Sequence, residues 1–524
     1  MKSSGAWLVA RSLLNQGVDT LFCYPGAAVL PLLDSLCALE QINCVLTAGE
    51  QGAVFAADGY ARSSGRPGVV IATSGPGATN LVTGIADAFM DSVPLVVITG
   101  NVSTDKLGRD SFQEVDTFGI TMPVTKYGYI VKNAEDIPAV ISEAFAIASS
   151  GRKGPVVIDI PENVFAQTAE YRCPEISVRP LKKDLSSIEK VVSLINGSRY
   201  PLIYAGGGAK ASACKPLIEK FASRINAPVA TSMMGIGAFD CSHPLSIGTA
   251  VAHNPLPARA LQSADLLVCL GARFASKAEN GFLTYNKKMK LVHIDIDMAE
   301  IDKNHTADGY LACDLKEALE LLLPRLNPKT ESLVSLLGSP SLPPSLPFGL
   351  LAAADSVLPP SKTVVTDVGL HQLWAAASFK FDGNDKFISS CGLGSMGFGT
   401  GAAIGALFAD GSSPTVLVTG DGSFNMDMNE LATAVRYKLP LIVMLFDNNS
   451  LGMIRKFQKK SYRGRYFCST LNLRTDYAAL AEAMGARAVR ANSEESMVSA
   501  VKDALKHKDK PTLIHIKTPI NILD

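Results

Sequence analysis

The chain has 524 residues, which is enough for about three domains of ordinary size, each with its own core. Lys plus Arg and Asp plus Glu number 49 each, and no long basic run occurs, which argues against nucleic acid or an anionic membrane as the main partner. The 10 scattered cysteines form no CxxC pair, and no apolar run approaches the roughly 20 residues of a membrane span, so we expect a cytoplasmic protein with buried thiols.

The region 1–165 alternates strand and helix patterns. Apolar runs such as VVIAT (69–73) and LVVIT (95–99) are separated by helical patterns such as 50–64. This alternation predicts a mostly parallel sheet with helices on both faces. Glu50 stands where a strand turns into a helix, and taken alone it would be an acid that favours the helix dipole.

The region 185–326 repeats the same alternation. Glycines follow its apolar runs, for instance in PLIYAGGGA (201–209) and DLLVCLGARF (265–274). Such glycines are expected where loops meet a ligand at the edge of a sheet, although AGGGA is not a complete dinucleotide fingerprint. The flanking segments 166–184 and 327–349 lack periodicity, and we expect them to be linkers.

The region 350–524 contains a βαβ pattern with polar residues at both strand ends. VLVT (416–419) and LIVMLF (441–446) are buried-strand runs, and helical spacing lies between them. A right-handed crossover brings both following loops to one sheet edge, so Asp421 in GDGS and Asn448 in DNN, 27 positions apart, can face each other. Either fragment alone would be interpreted as a turn. Together they suit a hard cation that carries a diphosphate.

These patterns predict an α/β protein with three doubly wound, mostly parallel-sheet domains. GDG followed by NN at this distance also resembles the thiamine-diphosphate-binding motif. Other stretches extend the resemblance, over nearly the whole chain, to the acetohydroxyacid synthases: SGPGATN (74–80), FQE (112–114), PVTK (123–126), VGLHQLW (368–374), GLGSMGFG (392–399) and LGMIRKFQ (451–458). The resemblance implies a pyrimidine-binding domain at 1–165, a central FAD-type domain at 185–326 and a diphosphate-binding domain at 350–524.

The resemblance implies a reaction. These enzymes decarboxylate pyruvate and transfer the hydroxyethyl group to a second 2-oxoacid, which gives 2-acetolactate or 2-aceto-2-hydroxybutanoate for branched-chain amino acid biosynthesis. The matching Glu50 would bind the aminopyrimidine of the cofactor and promote loss of the proton at C2. Phe112, Gln113 and Lys126 would line the site of the acceptor, where a cation suits a carboxylate.

Three positions depart from the usual family residues, namely Gly49, Leu370 and Phe457. They motivate an alternative, which is a related thiamine-diphosphate-dependent decarboxylase or carboligase with a different acceptor.

By the same resemblance, Mg²⁺ is held by Asp421, Asn448 and the backbone carbonyl of Ser450. Further contacts to thiamine diphosphate fall on Gly26, His371, Gly394, Met396, Gly422, Ser423, Gly452 and Met453. Most of the family also binds FAD, and the matching contacts are Gly207, Arg273, Asp295 and Asp314.

The resemblance also implies an assembly. Glu50 and Asp421 lie in separate regions, and family sites form between two subunits, so we expect a homodimer or tetramer. The resemblance leaves room for a separate regulatory subunit. Neither nucleic acid nor a membrane is expected as a partner.

Overall fold

The computed structural model describes residues 2–172, 176, 182–251, 254–275, 289–338, 345–472 and 474–520. The strands form three six-stranded sheets, each parallel throughout, and one antiparallel pair near the N-terminus. The predicted α/β class with three parallel-sheet units is therefore confirmed. The expected linkers 166–184 and 327–349 lie partly outside the described residues. No helix within the described ranges is long and apolar enough to cross a membrane.

The first sheet lies in the N-terminal third of the chain. Its strands, together with the antiparallel pair β1 and β8, are β1 (Lys2–Ser4), β2 (Thr20–Tyr24), β3 (Asn43–Leu46), β4 (Gly68–Ala72), β5 (Leu95–Asn101), β6 (Tyr127–Ile130), β7 (Val156–Pro161) and β8 (Thr168–Glu170). The helices are α1 (Gly5–Asn15), α2 (Leu30–Leu39), α3 (Glu50–Ser64), α4 (Pro76–Asn80), α5 (Val82–Asp91), α6 (Thr117–Thr121), α7 (Ile137–Ser149) and α8 (Glu162–Ala166). The strand order is β3-β2-β4-β5-β7-β6. Strands β4, β5 and β7 are buried along their whole length, which explains their continuous apolar runs.

The middle sheet has the strand order β11-β10-β9-β12-β13-β14. Its strands are β9 (Pro201–Ala205), β10 (Val229–Thr231), β11 (Ser246–Thr249), β12 (Leu266–Leu270), β13 (Lys290–Asp295) and β14 (Gly309–Ala312). The described helices of this part are α9 (Ile188–Gly197), α10 (Gly207–Ala211), α11 (Lys215–Arg224), α12 (Pro255–Ser263) and α13 (Leu315–Leu322).

The third sheet contains the predicted βαβ unit. Its strands are β15 (Thr363–Thr366), β16 (Lys386–Ser389), β17 (Thr415–Gly420), β18 (Ile442–Asp447), β19 (Arg487–Arg490) and β20 (Thr512–Lys517), in the order β16-β15-β17-β18-β20-β19. The helices are α14 (Leu346–Asp355), α15 (Leu370–Ser378), α16 (Phe398–Ala409), α17 (Asp421–Asp427), α18 (Glu430–Arg436), α19 (Gly452–Ser461), α20 (Tyr477–Ala483) and α21 (Glu494–Ala504). The helical spacing predicted between the two strands corresponds to the pair of short helices α17 and α18.

Each sheet has a point at which the strand order reverses direction. These switch points lie between β2 and β4, between β9 and β12, and between β15 and β17. In open parallel sheets, ligands bind in the crevice at the carboxyl ends of the strands beside such a point. The fold therefore offers three ligand crevices, one for each sheet.

The first and third sheets share one apolar core. Helices α3 and α16 pack against each other within this core, and they make contact through small residues. A Cβ at Gly59 would stand 2.0 Å from the carbonyl oxygen of Ala402, and one at Gly405 would stand 1.8 Å from that of Ala56. Glycine is required at both positions because the two helix backbones touch.

Candidate active site

Asp421 lies at the switch point of the third sheet. It directly follows β17 and opens α17, and it is only 2% exposed. Its Oδ1 accepts a hydrogen bond from the Gly422 N–H at 2.8 Å, whereas its buried Oδ2 has no hydrogen-bond partner in the described part of the chain. Burial raises the pKa of Asp421 to about 7, and the nearby charge of Asp447 adds to the effect. A buried carboxylate oxygen that has no hydrogen-bond partner is typical of a metal ligand whose cation is not bound.

Asn448 and Ser450 follow the neighbouring strand β18, which pairs with β17. The Asn448 Oδ1 accepts hydrogen bonds from the N–H and the hydroxyl of Ser450, both at 3.1 Å. Asp447 stabilises the turn that contains Asn448. Its carboxylate accepts a hydrogen bond from His515 Nε2 at 2.9 Å, and its Oδ1 accepts one from the Asn449 N–H at 3.2 Å. A carboxylate, a carboxamide and a peptide carbonyl at one edge form the all-oxygen donor set that Mg²⁺ prefers.

His371 faces the same crevice from the other side of the switch point. It is 6% exposed, and its Nε2 has no hydrogen-bond partner among the described residues. Burial lowers the pKa of His371 to about 3, so the imidazole is neutral at physiological pH and can donate to an anionic oxygen. A Cβ at Gly420 would stand 2.9 Å from its Nδ1, which places the ring beside the start of GDGS. Ser423 donates its hydroxyl to the carbonyl of Val368 at 2.9 Å and joins the two loops.

The apolar wall of this crevice comes from the loop before α16 and from the start of α19. The Met396 methyl group lies 3.7 Å from the Cβ position of Gly422, which places Met396 against the GDGS loop as a support for a bound cofactor. Gly394, in the same loop, has φ +78, and its N–H donates to the Ser390 hydroxyl at 3.0 Å. Gly452 is packed against Asn448, since a Cβ there would stand 3.2 Å from Asn448 Nδ2. Met453, next in the chain, packs against the core beneath the third sheet.

Glu50 follows the edge strand β3 of the first sheet, and its side chain reaches Asn80 in the segment after β4, beside the switch point. It opens α3 and is half-buried, and its Oε2 accepts a hydrogen bond from Asn80 Nδ2 at 3.0 Å. Gly26, at the end of the loop after β2, approaches Thr73 so closely that a Cβ would stand 2.4 Å from its side chain. Glu50, Gly26 and the SGPGATN loop lie close together, since a Cβ at Gly77 would stand 2.7 Å from the Thr73 side chain and 3.5 Å from Glu50 Oε1.

The three residues predicted to line the acceptor site have different surroundings. Phe112 is 87% exposed. Gln113 adopts φ +60 and packs its backbone on Gly75, where a Cβ would stand 2.7 Å from the Gln113 carbonyl oxygen. Lys126 donates to the carbonyls of Ile147 and Ser150, the latter at 2.7 Å, at the end of α7, and burial lowers its pKa to about 8. No hydrogen bond joins Lys126 to Gln113 in the described ranges.

A cavity of about 290 Å³ lies at the switch point of the middle sheet. The four residues predicted to contact FAD, Gly207, Arg273, Asp295 and Asp314, all line it. Its volume is near the lower end of the ~300–1,000 Å³ typical of small-molecule pockets. Ser276 and Lys277, which follow Arg273 in the sequence, lie outside the described residues.

Cations from two parts of the chain face this cavity. Arg152 and Lys153, which follow α7 in the first unit, line it together with Arg273. Arg152 pairs with Glu300 at 2.7 Å, and its positive charge adds to burial in lowering the pKa of Arg273. No local sequence pattern connects Arg152 and Lys153 with this cavity, because they belong to another sheet unit. Arginines suit a diphosphate and the carboxylates of Asp295 and Asp314 suit ribose hydroxyls, so the residues fit a dinucleotide such as FAD.

Each third of the chain matches a domain of a known protein family. Thiamine pyrophosphate (TPP) is another name for thiamine diphosphate. Residues 3–120 match the N-terminal TPP binding domain of thiamine pyrophosphate enzymes. Residues 188–322 match the central domain of these enzymes, and residues 367–516 match their C-terminal TPP binding domain. The acetolactate synthase large subunit of Buchnera aphidicola subsp. Schizaphis graminum is 36% identical, covering 99% of this chain and 95% of that protein. The acetolactate synthase isozyme 2 large subunit of Escherichia coli K12 is 37% identical, covering 98% and 95% respectively. The chain therefore belongs to the acetolactate synthase large-subunit family of thiamine pyrophosphate enzymes.

Proposed function

We propose that this chain is the catalytic subunit of an acetohydroxyacid synthase. It decarboxylates pyruvate and transfers the hydroxyethyl group to a second 2-oxoacid, with 2-acetolactate or 2-aceto-2-hydroxybutanoate as the product. The observation that carries the proposal is the unpartnered Oδ2 of buried Asp421, which lies beside Asn448 at the switch point of the third sheet. The chain that contains this site is similar to acetolactate synthases along nearly its whole length. Branched-chain amino acid biosynthesis is the pathway this product serves.

Bound thiamine diphosphate supplies a carbon nucleophile and an electron sink for the loss of CO₂ from a 2-oxoacid. Asp421, Asn448 and the carbonyl of Ser450 would hold the Mg²⁺ that binds its diphosphate. The neutral His371 would donate to a phosphate oxygen, and Met396 would support the cofactor from the apolar side. These roles fit the buried, unpartnered atoms of Asp421 and His371.

Glu50 would hold the aminopyrimidine and move the proton that must leave C2. Within the described residues its half-buried carboxylate has one side-chain hydrogen-bond donor, the neutral Asn80, so it can accept another hydrogen bond from a ligand. Gln113 and Lys126 would bind the carboxylate of the acceptor, and Phe112 would pack against its carbon chain. Phe112 is exposed, as expected of a side chain whose partner is a substrate or another subunit.

We further propose that two copies of the chain complete each site. Large apolar side chains lie exposed beside the predicted site segments, among them Phe112 at 87% and Phe467 at 80%. A dimer or tetramer would cover them. The matched relatives are named large subunits, which suits a second, regulatory subunit in the assembly.

A related decarboxylase, or a carboligase with another acceptor, is the second candidate. Phe457 favours it, because this residue lies on α19 just after the Asn448 loop and is 54% exposed. The family usually has Trp there, so the acceptor would meet a smaller aromatic ring. The bulk and polarity of the accepted second substrate would differ accordingly.

Product analysis tests the proposal. The purified chain is incubated with Mg²⁺ and thiamine diphosphate, with or without FAD, and with pyruvate alone or together with 2-oxobutanoate. We expect steady formation of acetolactate, loss of this activity in Glu50→Gln, and flavin that stays with the protein through gel filtration. Free acetaldehyde as the main product would favour the second candidate and contradict the first.

A further inference from the structure

We propose that Glu430 is a positioning residue for Glu50, acting across the contact between the first and third units. Glu430 opens α18, the second short helix between the strands that precede Asp421 and Asn448. It is only 2% exposed, and it is not one of the residues proposed to hold the cofactor or the acceptor. The inference rests on the proposed function, because it concerns the same Glu50.

The Glu430 carboxylate contacts the backbone where α3 begins. Its Oε1 accepts a hydrogen bond from the N–H of Ala48 at 3.0 Å, and its Oε2 accepts one from the Thr433 hydroxyl at 2.7 Å. A Cβ at Gly52 would stand 1.9 Å from the same Oε1. Glu430 therefore touches the chain two residues before and two residues after Glu50.

Helix α3 has no side-chain cap of its own. Its N-cap residue is Gly49, which has no side chain to accept hydrogen bonds from the first turn. The first N–H groups of a helix have no partner within the helix, and a carboxylate beside them is stabilising. Glu430 supplies this carboxylate from a part of the chain 382 positions away.

Glu430 and Glu50 have separate tasks at this helix end. Glu430 is buried and held by Ala48 and Thr433, whereas Glu50 is half-buried and contacts Asn80. The position of the Glu50 backbone is therefore fixed by a group that does not itself face the cofactor crevice. Because proton transfer depends steeply on geometry, a small shift of Glu50 slows it while most cofactor contacts remain.

The surrounding contacts make this coupling rigid. Asp427, also buried, accepts a hydrogen bond from the Gly401 N–H at 3.0 Å and ties α17 to α16. Helix α16 in turn lies against the backbone of α3 at Gly59 and Gly405. A change at Glu430 should therefore act first on the start of α3, which its carboxylate contacts directly.

The test uses the full-length chain with Mg²⁺ and thiamine diphosphate, and it measures deuterium exchange at C2 of the bound cofactor together with cofactor affinity. Glu430→Gln keeps the side-chain shape and one oxygen but replaces the other oxygen with an amide NH₂ group, so it can accept from only one of Ala48 and Thr433 in this arrangement. We expect exchange to slow about tenfold, with the Kd for thiamine diphosphate changed by less than about twofold. Thr433→Val loosens the carboxylate without removing it, so it should slow exchange by a smaller factor, and it serves as the milder variant if Glu430→Gln lowers stability.

Tyr437→Phe is the matched control. The Tyr437 hydroxyl accepts a hydrogen bond from the Leu46 N–H at 2.8 Å, so it also joins the third unit to the chain before α3, but it does not reach the helix end. This variant should exchange C2 hydrogen at the rate of the unmodified chain. Equal slowing in Tyr437→Phe and Glu430→Gln would overturn the specific role of Glu430.

A double variant separates positioning from general damage. If Glu430 acts through Glu50, adding Glu430→Gln to Glu50→Gln should slow exchange no further. Independent, multiplicative effects, or an unchanged rate in Glu430→Gln alone, would overturn the inference. An unmodified chain that neither binds thiamine diphosphate nor exchanges its C2 hydrogen would instead overturn the proposed function itself.

Discussion

Lys126 shows how the fold adjusts the charge of a single side chain. Its ammonium group donates to the carbonyls of Ile147 and Ser150 at the end of α7, and burial lowers its pKa to about 8. The neutral carbonyls compensate only part of the lost hydration. The positive charge proposed to attract the acceptor carboxylate is therefore present below pH 8 and lost above it.

This pKa predicts a pH dependence of acceptor use. The kcat/KM for the second 2-oxoacid should fall as the pH rises through about 8, because the ammonium group loses its proton. Lys126→Gln should raise the KM for this substrate about tenfold at neutral pH and remove the alkaline decline. Initial rates measured over a pH series with both proteins provide the check. An unchanged decline in Lys126→Gln would assign it to another group.

At the scale of elements, the contact between α3 and α16 joins the first and third units. It leaves no room for a Cβ at two positions, since Gly405 faces the carbonyl of Ala56 and Gly59 faces that of Ala402. Helices that approach backbone to backbone cannot accommodate a methyl group without separating. The start of α3, and Glu50 with it, depends on this crossing.

Gly405→Ala is therefore expected to destabilise the protein by about 1–3 kcal/mol through overpacking. Its Cβ would stand 1.8 Å from the Ala56 carbonyl oxygen. Gly411→Ala is the control, because the nearest atom to its Cβ would be the Leu407 carbonyl oxygen at 3.4 Å. Urea unfolding followed by circular dichroism compares the two. Equal midpoints for both variants would show that the helices can separate at no cost.

The elements that the sequence predicts well are those with a strong local pattern. The continuous apolar runs of β4, β5 and β7 mark buried central strands, and the helix that begins at Glu50 has the predicted bounds 50–64. The strands β6, β16 and β19 were not predicted, because they lie at sheet edges and are short. An edge strand needs no long apolar run, so its sequence resembles that of a loop.

The same limit applies to the site. Asp421 and Asn448 could be placed from the sequence because they follow neighbouring strands of one βαβ unit. Glu430 and Arg152 could not, since their partners at Ala48 and Glu300 are 382 and 148 positions away and no local pattern connects them. Contacts of this range depend on how the units pack together.

At the scale of the whole molecule, three sheets present three crevices with different chemistry. Glu50 lies in the crevice of the first sheet, the cations around Arg273 line the crevice of the middle sheet, and Asp421 lies in the crevice of the third sheet. Glu50 and Asp421 belong to different sheet units of the chain. In the shared site that we propose, one copy contributes Glu50 and the other contributes Asp421.

Subunit complementation tests this account most directly. Glu50→Gln and Asp421→Asn should each abolish acetolactate formation, since each removes one end of every site. When the two variants are dissociated, mixed and reassembled, half of the dimers are mixed and each has one intact site, so about a quarter of the original activity should return. If the mixture stays inactive while the unmodified protein survives the same treatment, the shared site proposed here is wrong.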